Sequence, residues 1–289
     1  LLTNRDQSLD SGLYFVATPI GSARDITLRA LDVLRDADVL AAEDTRNTRH
    51  LMDIHGIALN GRPLIAYHDH NGPRQRPRLI EMMRAGQALA YVSDAGTPLI
   101  ADPGYALARD ALAAGIKIHT VPGASAVLSA LTLAGLPTDR FFFAGFLPVK
   151  SVARRKALKD MEKIPGTLVF YESPKRIHKM LADLVQELGG DRESAICREI
   201  TKKFEEVRRG SLATLVSEYE NVSPRGEFVV VVGPAPKRAI PDDALDDMLI
   251  AARKANGLSL RDAVDSVAAD LVLSRKLVYR RALELEKKT

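Results

Sequence analysis

Four short stretches of this sequence are built largely from Gly, Pro, small polar and charged residues: TPIGSARD (18–25), AEDTRNT (42–48), SDAGTPLIADPG (93–104) and VPGASAV (121–127). Gly lets backbone approach a ligand closely, and Pro fixes a turn without adding an N–H that needs a partner. Loops built this way offer backbone N–H and C=O groups to a small polar molecule. A strand-to-helix turn needs only about two to six residues, and the third stretch is far longer than that. One such loop would be an ordinary way into a helix, but four together are read as a binding site.

The motifs that are missing narrow the chemistry. No G-x-G-x-x-G follows the first apolar run, and no G-x-x-x-x-G-K-[ST] occurs, so neither a dinucleotide fingerprint nor a P-loop is supported. There is no G-x-S-x-G, and no His is tied by sequence to a Ser nucleophile. His68 and His70 form an H-x-H which, on a strand, would put both rings on one face and could bind metal. With no Cys cluster nearby, they are read as surface polar residues that could face substrate, and no metal site is expected. The chain looks like neither a hydrolase nor a metalloenzyme.

The elements that would carry these loops alternate. LYFVA (13–17), DVLAAE (38–43), PLIAY (63–67), ALAYV (88–92) and KIHTV (117–121) are short apolar runs, mostly separated by helical periods such as DITLRALDVLRDA and GYALARDALAAG. Strands alternating with helices imply a largely parallel sheet with helices packed on it, and such sheets bind ligands at the carboxyl ends of their strands. The texture then changes to FFFAGF, a basic helix over 151–163, TLVFYES, a helix in PKRIHKMLADLVQELGG, SAICREI, a strand in EEVRRGS ending at Gly210, and EFVVVVG. That order predicts a second, mixed sheet. The expected organisation is an α/β domain over 13–122, a second over 123–233, a Pro-rich linker (233–241) and a helical tail over 241–289. In the tail, Ser259 and Ser274 stand where N-caps would open the helices of a helix–turn–helix; a plain helical clamp is the alternative.

A chain of 289 residues, 46% hydrophobic and 27% charged, suits two domains with an appendage. No apolar run approaches the roughly eighteen residues of a membrane helix, and LLTNRDQSLDSG lacks the apolar core of a signal peptide. A single cysteine, Cys197, excludes an internal disulfide and a multi-Cys zinc site. A soluble cytoplasmic protein is expected, with no membrane partner. The net charge of +4 is concentrated: six Lys or Arg against two acids over 150–163, five against three over 198–209, and four Arg against one Glu over 74–84. With 5% aromatic residues and no Trp, these stretches suit phosphate contact better than stacking on single-stranded bases. Arg154, Arg155 and Lys156 are accordingly expected to face a phosphate backbone, RNA if the resemblance given next holds.

YFVATPIGSARDITLRALDVLRDADVLAAEDTRNTRHLM, VSDAGTPLIADPGY, VPGASAVLSALTLAGLPTDRFFFAGFLP and FYESPKR resemble the rRNA-modifying branch of the tetrapyrrole-methylase superfamily of S-adenosylmethionine (SAM)-dependent methyltransferases. The resemblance covers about residues 13–232, and the tail resembles that branch's helix–turn–helix segment. One departure is YHDHNGPRQ, where Gly72 stands in place of the acidic residue more usual after the Asn. The resemblance implies SAM held between two α/β domains, a homodimer, and methylation of the ribose 2′-oxygen of a cytidine in the decoding region of 16S rRNA, either as naked RNA or in the 30S subunit. SAM carries its own electrophile, so a protein without a covalent nucleophile suffices. By resemblance, Asp94 would bind the methionine amino group or a hydroxyl, and Gly96 and Thr97 would offer backbone near the sulfonium. Ile20, Ser125 and Ala126 would lie against the cofactor, and Tyr171 towards the adenosine. Glu43, Asp44 and Glu172 are the candidates for a general base, while Arg46, Lys175 and Arg176 could hold phosphates. A tetrapyrrole C-methyltransferase would share the fold but has no use for the basic stretches or the tail. A non-catalytic ribosome-assembly factor would keep the basic faces without a working pocket.

Overall fold

Five apolar runs of the first half become strands because each is followed by a segment that must return the chain across one face of the sheet. The computed structural model describes residues 9–68, 70–220, 222–236, 242–271 and 273–286. Strands β1 (Gly12–Val16), β2 (Val39–Ala42), β3 (Leu64–Ala66), β4 (Ala88–Val92) and β5 (Ile118–Val121) pair in the order β3-β2-β4-β1-β5, every pair parallel. Helices α1 (Leu28–Asp36), α2 (Thr45–Ile54), α3 (Gly72–Arg84) and α4 (Tyr105–Ala113) connect them. Central strands β1 and β4 are buried along their whole length, as expected for a sheet covered on both faces. One face packs Phe15, Leu89 and Tyr91 against Leu79 of α3 and Leu107 of α4. The other packs Val16 and Leu40 against Val33 and Leu34 of α1 and Met52 of α2.

In this strand order, β2, β4, β1 and β5 are consecutive neighbours. The four loop stretches singled out from the sequence follow those four strands. A parallel sheet sends all their carboxyl ends to one edge, so the loops assemble side by side.

The second sheet contains β6 (Phe141–Phe146), β7 (Thr167–Glu172), β8 (Glu193–Arg198), β9 (Glu206–Ser211) and β10 (Phe228–Val232), in the order β6-β7-β10-β8-β9. Only the β6–β7 pair is parallel. Helix α5 (Ala126–Ala134) covers one face of this sheet: Ala130 and Leu131 pack with Val169, Ala195 and Val231. Helices α6 (Ser151–Met161), α7 (Ile177–Leu188) and α8 (Leu212–Tyr219) cover the other, around Leu158, Phe170, Leu184, Leu215 and Val230. Two expectations shift slightly. Helix α7 opens at Ile177, because Pro174 and the two residues after it are spent turning out of β7. Strand β9 runs through Gly210 to Ser211, whose hydroxyl accepts from Thr214 N and opens α8 at once.

The two sheets form one compact unit that ends at Ala235, and the tail forms another. The tail contains α9 (Asp242–Asn256), α10 (Leu260–Asp270) and α11 (Arg275–Glu286), closed on their own core of Leu245, Leu249, Val264, Val267 and Val278. Ser259 caps α10 by accepting from Asp262 N, and the carbonyl of Ser274 accepts from Leu277 and Val278 at the start of α11. Most of the Pro-rich linker, with Pro241 at the expected start of the tail, lies outside the described residues. No helix among the described residues is long and apolar enough to cross a membrane.

Candidate active site

The loops after β1, β4 and β5 are tied together by short-range polar contacts. Thr18 N donates to Gly96 O at 2.9 Å and Gly96 N returns to Thr18 O at 3.0 Å, a one-residue antiparallel bridge at the carboxyl edge. Thr18 Oγ1 donates to Ser93 O (3.1 Å), Ser93 Oγ to Gly96 O (3.0 Å) and Thr97 Oγ1 to Ala124 O (3.1 Å). Gly96 sits at φ +80°, where a Cβ would also stand 3.4 Å from Ile20 Cγ2. Only Gly adopts this conformation without strain while leaving its backbone open to a ligand. The chain then runs through Leu99 (φ +73°) and Ala101 (φ +63°), two non-glycine residues in the left-handed region. Such residues cost on the order of 1–3 kcal/mol each and persist where surrounding structure over-determines them. Here Tyr91 Oη donates to Pro103 O at 3.0 Å, holding the far end of the loop to the sheet. This arrangement explains the length of the 93–104 stretch. It does not merely turn the chain; it builds a rigid wall.

That wall bounds a cavity of about 350 Å³ between the carboxyl edge of the first sheet and the second sheet. Ile20, Gly96, Thr97, Ser125, Ala126, Tyr171 and Glu172 all line it. Asp94 does not line it; its carboxylate accepts from Asp44 N at 3.0 Å and so ties the loop after β2 to the loop after β4. Several lining residues went unnoticed in the sequence, the ionisable ones being Asp102, inside the IADPG run, Lys202, on the β8–β9 hairpin, and Glu227, just before β10. Asp102 was flagged only by its place in that overlong loop. The cavity fits the cofactor implied by resemblance. Small residues 95–97 and 125–126 admit backbone-close binding on one side, and the Tyr171 ring, braced edge-on by Phe143 at 4.9 Å and Phe146 at 5.6 Å, forms a flat wall on the other. Glu172 Oε2 is buried without a hydrogen bond, with Arg176 Nη2 3.2 Å away but out of line.

The carboxylates at this edge differ sharply. Asp44 caps α2, accepting from Arg46 N at 2.8 Å, and pairs with the Arg46 guanidinium at 2.6 Å. The Arg46 hydrogen bonds hold its carboxyl down to about 2. A group so easily ionised is a weak proton acceptor near neutral pH, so Asp44 is a poor general base. Glu172 accepts from Ser173 N at 2.8 Å and its side chain is wholly inaccessible beside Arg176. Asp102 behaves in the opposite way. Burial, reinforced by the negative charges of Glu43 and Asp94, pushes its carboxyl up to about 7. Burial, with the Asp102 charge next, likewise pushes the Tyr171 phenol up to about 12. Lys202 Nζ donates to Glu199 and Glu227, each at 2.9 Å.

The arginines need two corrections. Arg154 points inward: it is 3% exposed, pairs with Asp183 at 2.6 Å and donates to the carbonyls of Pro148 and Val149. A guanidinium used up in this way cannot reach a phosphate. Arg176 is also turned inward, donating to Leu147 O at 2.5 Å beside Glu172, so it clasps the end of β6 to the turn after β7. Arg155 pairs with Glu187 yet keeps 43% of its side chain exposed, whereas Lys156 and Lys175 are exposed. Arg46 is 87% exposed beside Asp44. Strand β3 ends before His68, and the rings of His68 and His70 meet edge-on at 5.9 Å. Among the described residues, no three His, Cys, Asp or Glu converge on a point that could hold a metal. At Gly72, a Cβ would stand 3.1 Å from Arg76 Nη1 and 3.3 Å from Tyr67 Oη. An acidic side chain there would meet Arg76; here Arg76 pairs instead with Asp110 at 2.8 Å.

Residues 12–216 match the family model described as Tetrapyrrole (Corrin/Porphyrin) Methylases. The Ribosomal RNA small subunit methyltransferase I of Mesorhizobium japonicum is 46% identical over 279 residues, spanning 96% of this chain and 93% of that protein. The protein of the same name from Escherichia coli O157:H7 is 44% identical, spanning 96% and 98%. A solved uroporphyrin-III C-methyltransferase from Thermus thermophilus, complexed with S-adenosylhomocysteine, superposes with a TM-score of 0.53 over 77% of this chain and 97% of its own. At 21% identity, that likeness speaks for the fold alone.

Proposed function

This chain belongs to the tetrapyrrole methylase family and, with the relatives above, to its ribosomal RNA small subunit methyltransferase I group; we propose that it methylates the ribose 2′-oxygen of a cytidine in the decoding region of 16S rRNA. It is a SAM-dependent methyltransferase acting on small-subunit rRNA. The observation that supports the reading is the cavity itself, walled by backbone-rich loops that suit a donor carrying its own electrophile. When bound, SAM supplies the activated methyl group. Gly96, Thr97, Ser125 and Ala126 would hold it at the first sheet, while Tyr171 and Glu172 would face it from the second. Fixing acceptor and donor in line contributes on the order of 7–11 kcal/mol in well-oriented systems. Lys156, Lys175, Arg46 and the exposed face of Arg155 would meet the phosphate backbone, together with Lys276 and Arg280 of the tail, which are exposed.

The reading includes a homodimer in the cytoplasm. Edge strand β6 leaves Phe141, Phe142 and Phe146 at 45%, 42% and 55% exposure, with Leu128 and Val152 also exposed. An aromatic sheet edge of this kind is the sort of surface a second copy covers. Light scattering should give twice the chain mass, and Phe142→Lys should shift it towards the monomer. For the reaction, tritiated methyl transfer from SAM should be compared on 30S particles and naked 16S rRNA. The labelled nucleotide should then be tested for alkaline resistance, which a 2′-O-methyl group confers on the adjacent linkage. Label on a base rather than a ribose would overturn the proposed position.

A further inference from the structure

We propose that Phe204 stacks on an unpaired base of the RNA substrate at the mouth of the cavity. This deepens the rRNA-methylation reading and rests on it. Tyr105 apart, Phe204 is the most exposed aromatic residue among those described, at 62%. It stands in the turn 199–205 between β8 and β9, two residues past Lys202, which lines the cavity with Ile200. Two residues of chain span at most about 7 Å. The ring therefore lies at the rim, beside the place where an acceptor ribose must enter.

The turn that presents the ring is pinned. Glu199 (φ +50°) and Thr201 (φ +63°) are non-glycine residues in the left-handed region, a conformation that surrounding structure must over-determine. Glu199 Oε1 accepts from Glu227 N at 3.0 Å and from Lys202 Nζ at 2.9 Å, and Glu205 Oε2 accepts from Thr201 N at 2.6 Å. Thr201 Oγ1 accepts from Ser22 N at 3.1 Å, fastening the turn to the loop after β1. The approach is so close that a Cβ on Gly21 would stand 2.5 Å from Thr201 Oγ1. Phe204 itself belongs to neither core of the second sheet. An apolar ring held in solvent by such a brace is presented to a partner.

The partner is a base rather than a phosphate. Composition made 198–209 a phosphate-binding run, but most of its cations are spent. Arg198 and Arg208 pair with Glu206, Lys202 pairs with Glu199 and Glu227, and Arg209 donates to Leu133 O. Among the described residues that leaves Lys203, whose ammonium stands over the Phe204 ring, 5.5 Å from its centroid, in a cation–π arrangement. Splayed-out RNA bases are recognised by stacking on aromatic rings of this kind. A ribose whose 2′-oxygen is to reach a methyl donor inside the cavity must leave its helix. That frees its own base, or a neighbour's, for the ring face that Lys203 does not cover.

The test compares wild type with Phe204→Ala and Phe204→Trp. Affinity for 30S particles is measured by filter binding over a range of salt, with methyl transfer, SAM calorimetry and light scattering alongside. Phe204→Ala should bind 30S particles roughly 5–150-fold more weakly. Its log–log salt slope should be unchanged, because no phosphate contact is lost, and its SAM affinity should match wild type. Phe204→Trp, which keeps a flat ring, should bind at least as well as wild type. Wild-type 30S affinity in Phe204→Ala, where wild type does transfer methyl, overturns the stacking role alone. So does a Trp variant as weak as the Ala variant, or a Phe204→Ala mass shifted towards the monomer, which would put a second copy on the ring. No transfer by wild type to 30S particles or to naked 16S rRNA overturns the methylation reading and this inference with it.

Discussion

Replacing Asp102 by Asn should stabilise the protein, and by more as pH rises. In the folded chain the Asp102 carboxyl lies at about 7 against an ordinary value of 3.8. Between those values the native state holds a proton that the unfolded chain has released. Stability therefore falls as pH rises through that interval, and the full penalty is present above about 7. A rise of about three in pKa, at 1.36 kcal/mol each, sets a ceiling of about 4 kcal/mol. Asp102 is only half-buried, and solvent screening brings the expected penalty down to about 1–2 kcal/mol. Asn keeps the shape but carries no charge to desolvate, so it escapes this cost. Urea unfolding at pH 5, 6, 7 and 8 should show the midpoints of variant and wild type diverging, the variant ahead at pH 8. A constant gap across that range, or a variant that loses ground as pH rises, would refute the claim that this carboxylate is buried and unpaired.

Four further outcomes follow from the same structure. Gly96→Val, which puts a branched side chain at φ +80° against Ile20, should weaken SAM binding at least tenfold, about 1.4 kcal/mol; calorimetry showing wild-type affinity in a folded variant would sink the pocket assignment. Reversing Arg155 and Lys156 to Glu, with Arg154 left intact, should weaken RNA binding and reduce its log–log salt slope by about 0.7–0.9 per lost phosphate contact, without altering SAM binding. Arg154→Ala should instead destabilise the fold by about 3–5 kcal/mol, seen in denaturant melts, because it leaves the Asp183 carboxylate buried without its partner. Removing residues 241–289 should leave the two-sheet unit folded and binding SAM while lowering methylation of 30S particles; full activity after the cut would end the substrate-docking role of the tail.

Much of the fold was legible because its signals are local. The alternation of apolar runs with helical periods over residues 13–121 points to a parallel sheet, and the four loop stretches read from composition follow four adjacent strands of it. The gathering of Ile20, Gly96, Thr97, Ser125 and Ala126 followed from that order, since a parallel sheet sends every carboxyl end the same way. Side-chain direction was not legible. Arg154 and Lys156 are two residues apart in one basic run, yet helix periodicity turns Arg154 onto Asp183 and leaves Lys156 in solvent. Arg176 looked equally available, and only the end of β6, 29 residues earlier in the chain, shows why it is not. Asp102 was hidden for a similar reason. Its distinction is the absence of a partner, and an absence has no motif.

The two aspartates of this edge stand in opposite environments. Asp44 and Asp102 begin as the same chemical group and end at about 2 and about 7. The Arg46 guanidinium accounts for the first; burial and uncompensated negative charge account for the second. Two like groups a few residues from one sheet edge are driven apart by their environments alone. The two also act together. The Asp44 amide holds the Asp94 carboxylate at 3.0 Å, and Asp94 is one of the charges that raise Asp102. Cutting the Asp44–Arg46 pair would loosen the N-terminus of α2 and, through that amide, release Asp94 as well. Asp44→Ala should therefore lower the pH at which Asp102 titrates, although Asp44 does not line the cavity. A carboxyl resonance for Asp102 that titrates at the same pH in Asp44→Ala as in wild type would show that burial alone sets its basicity.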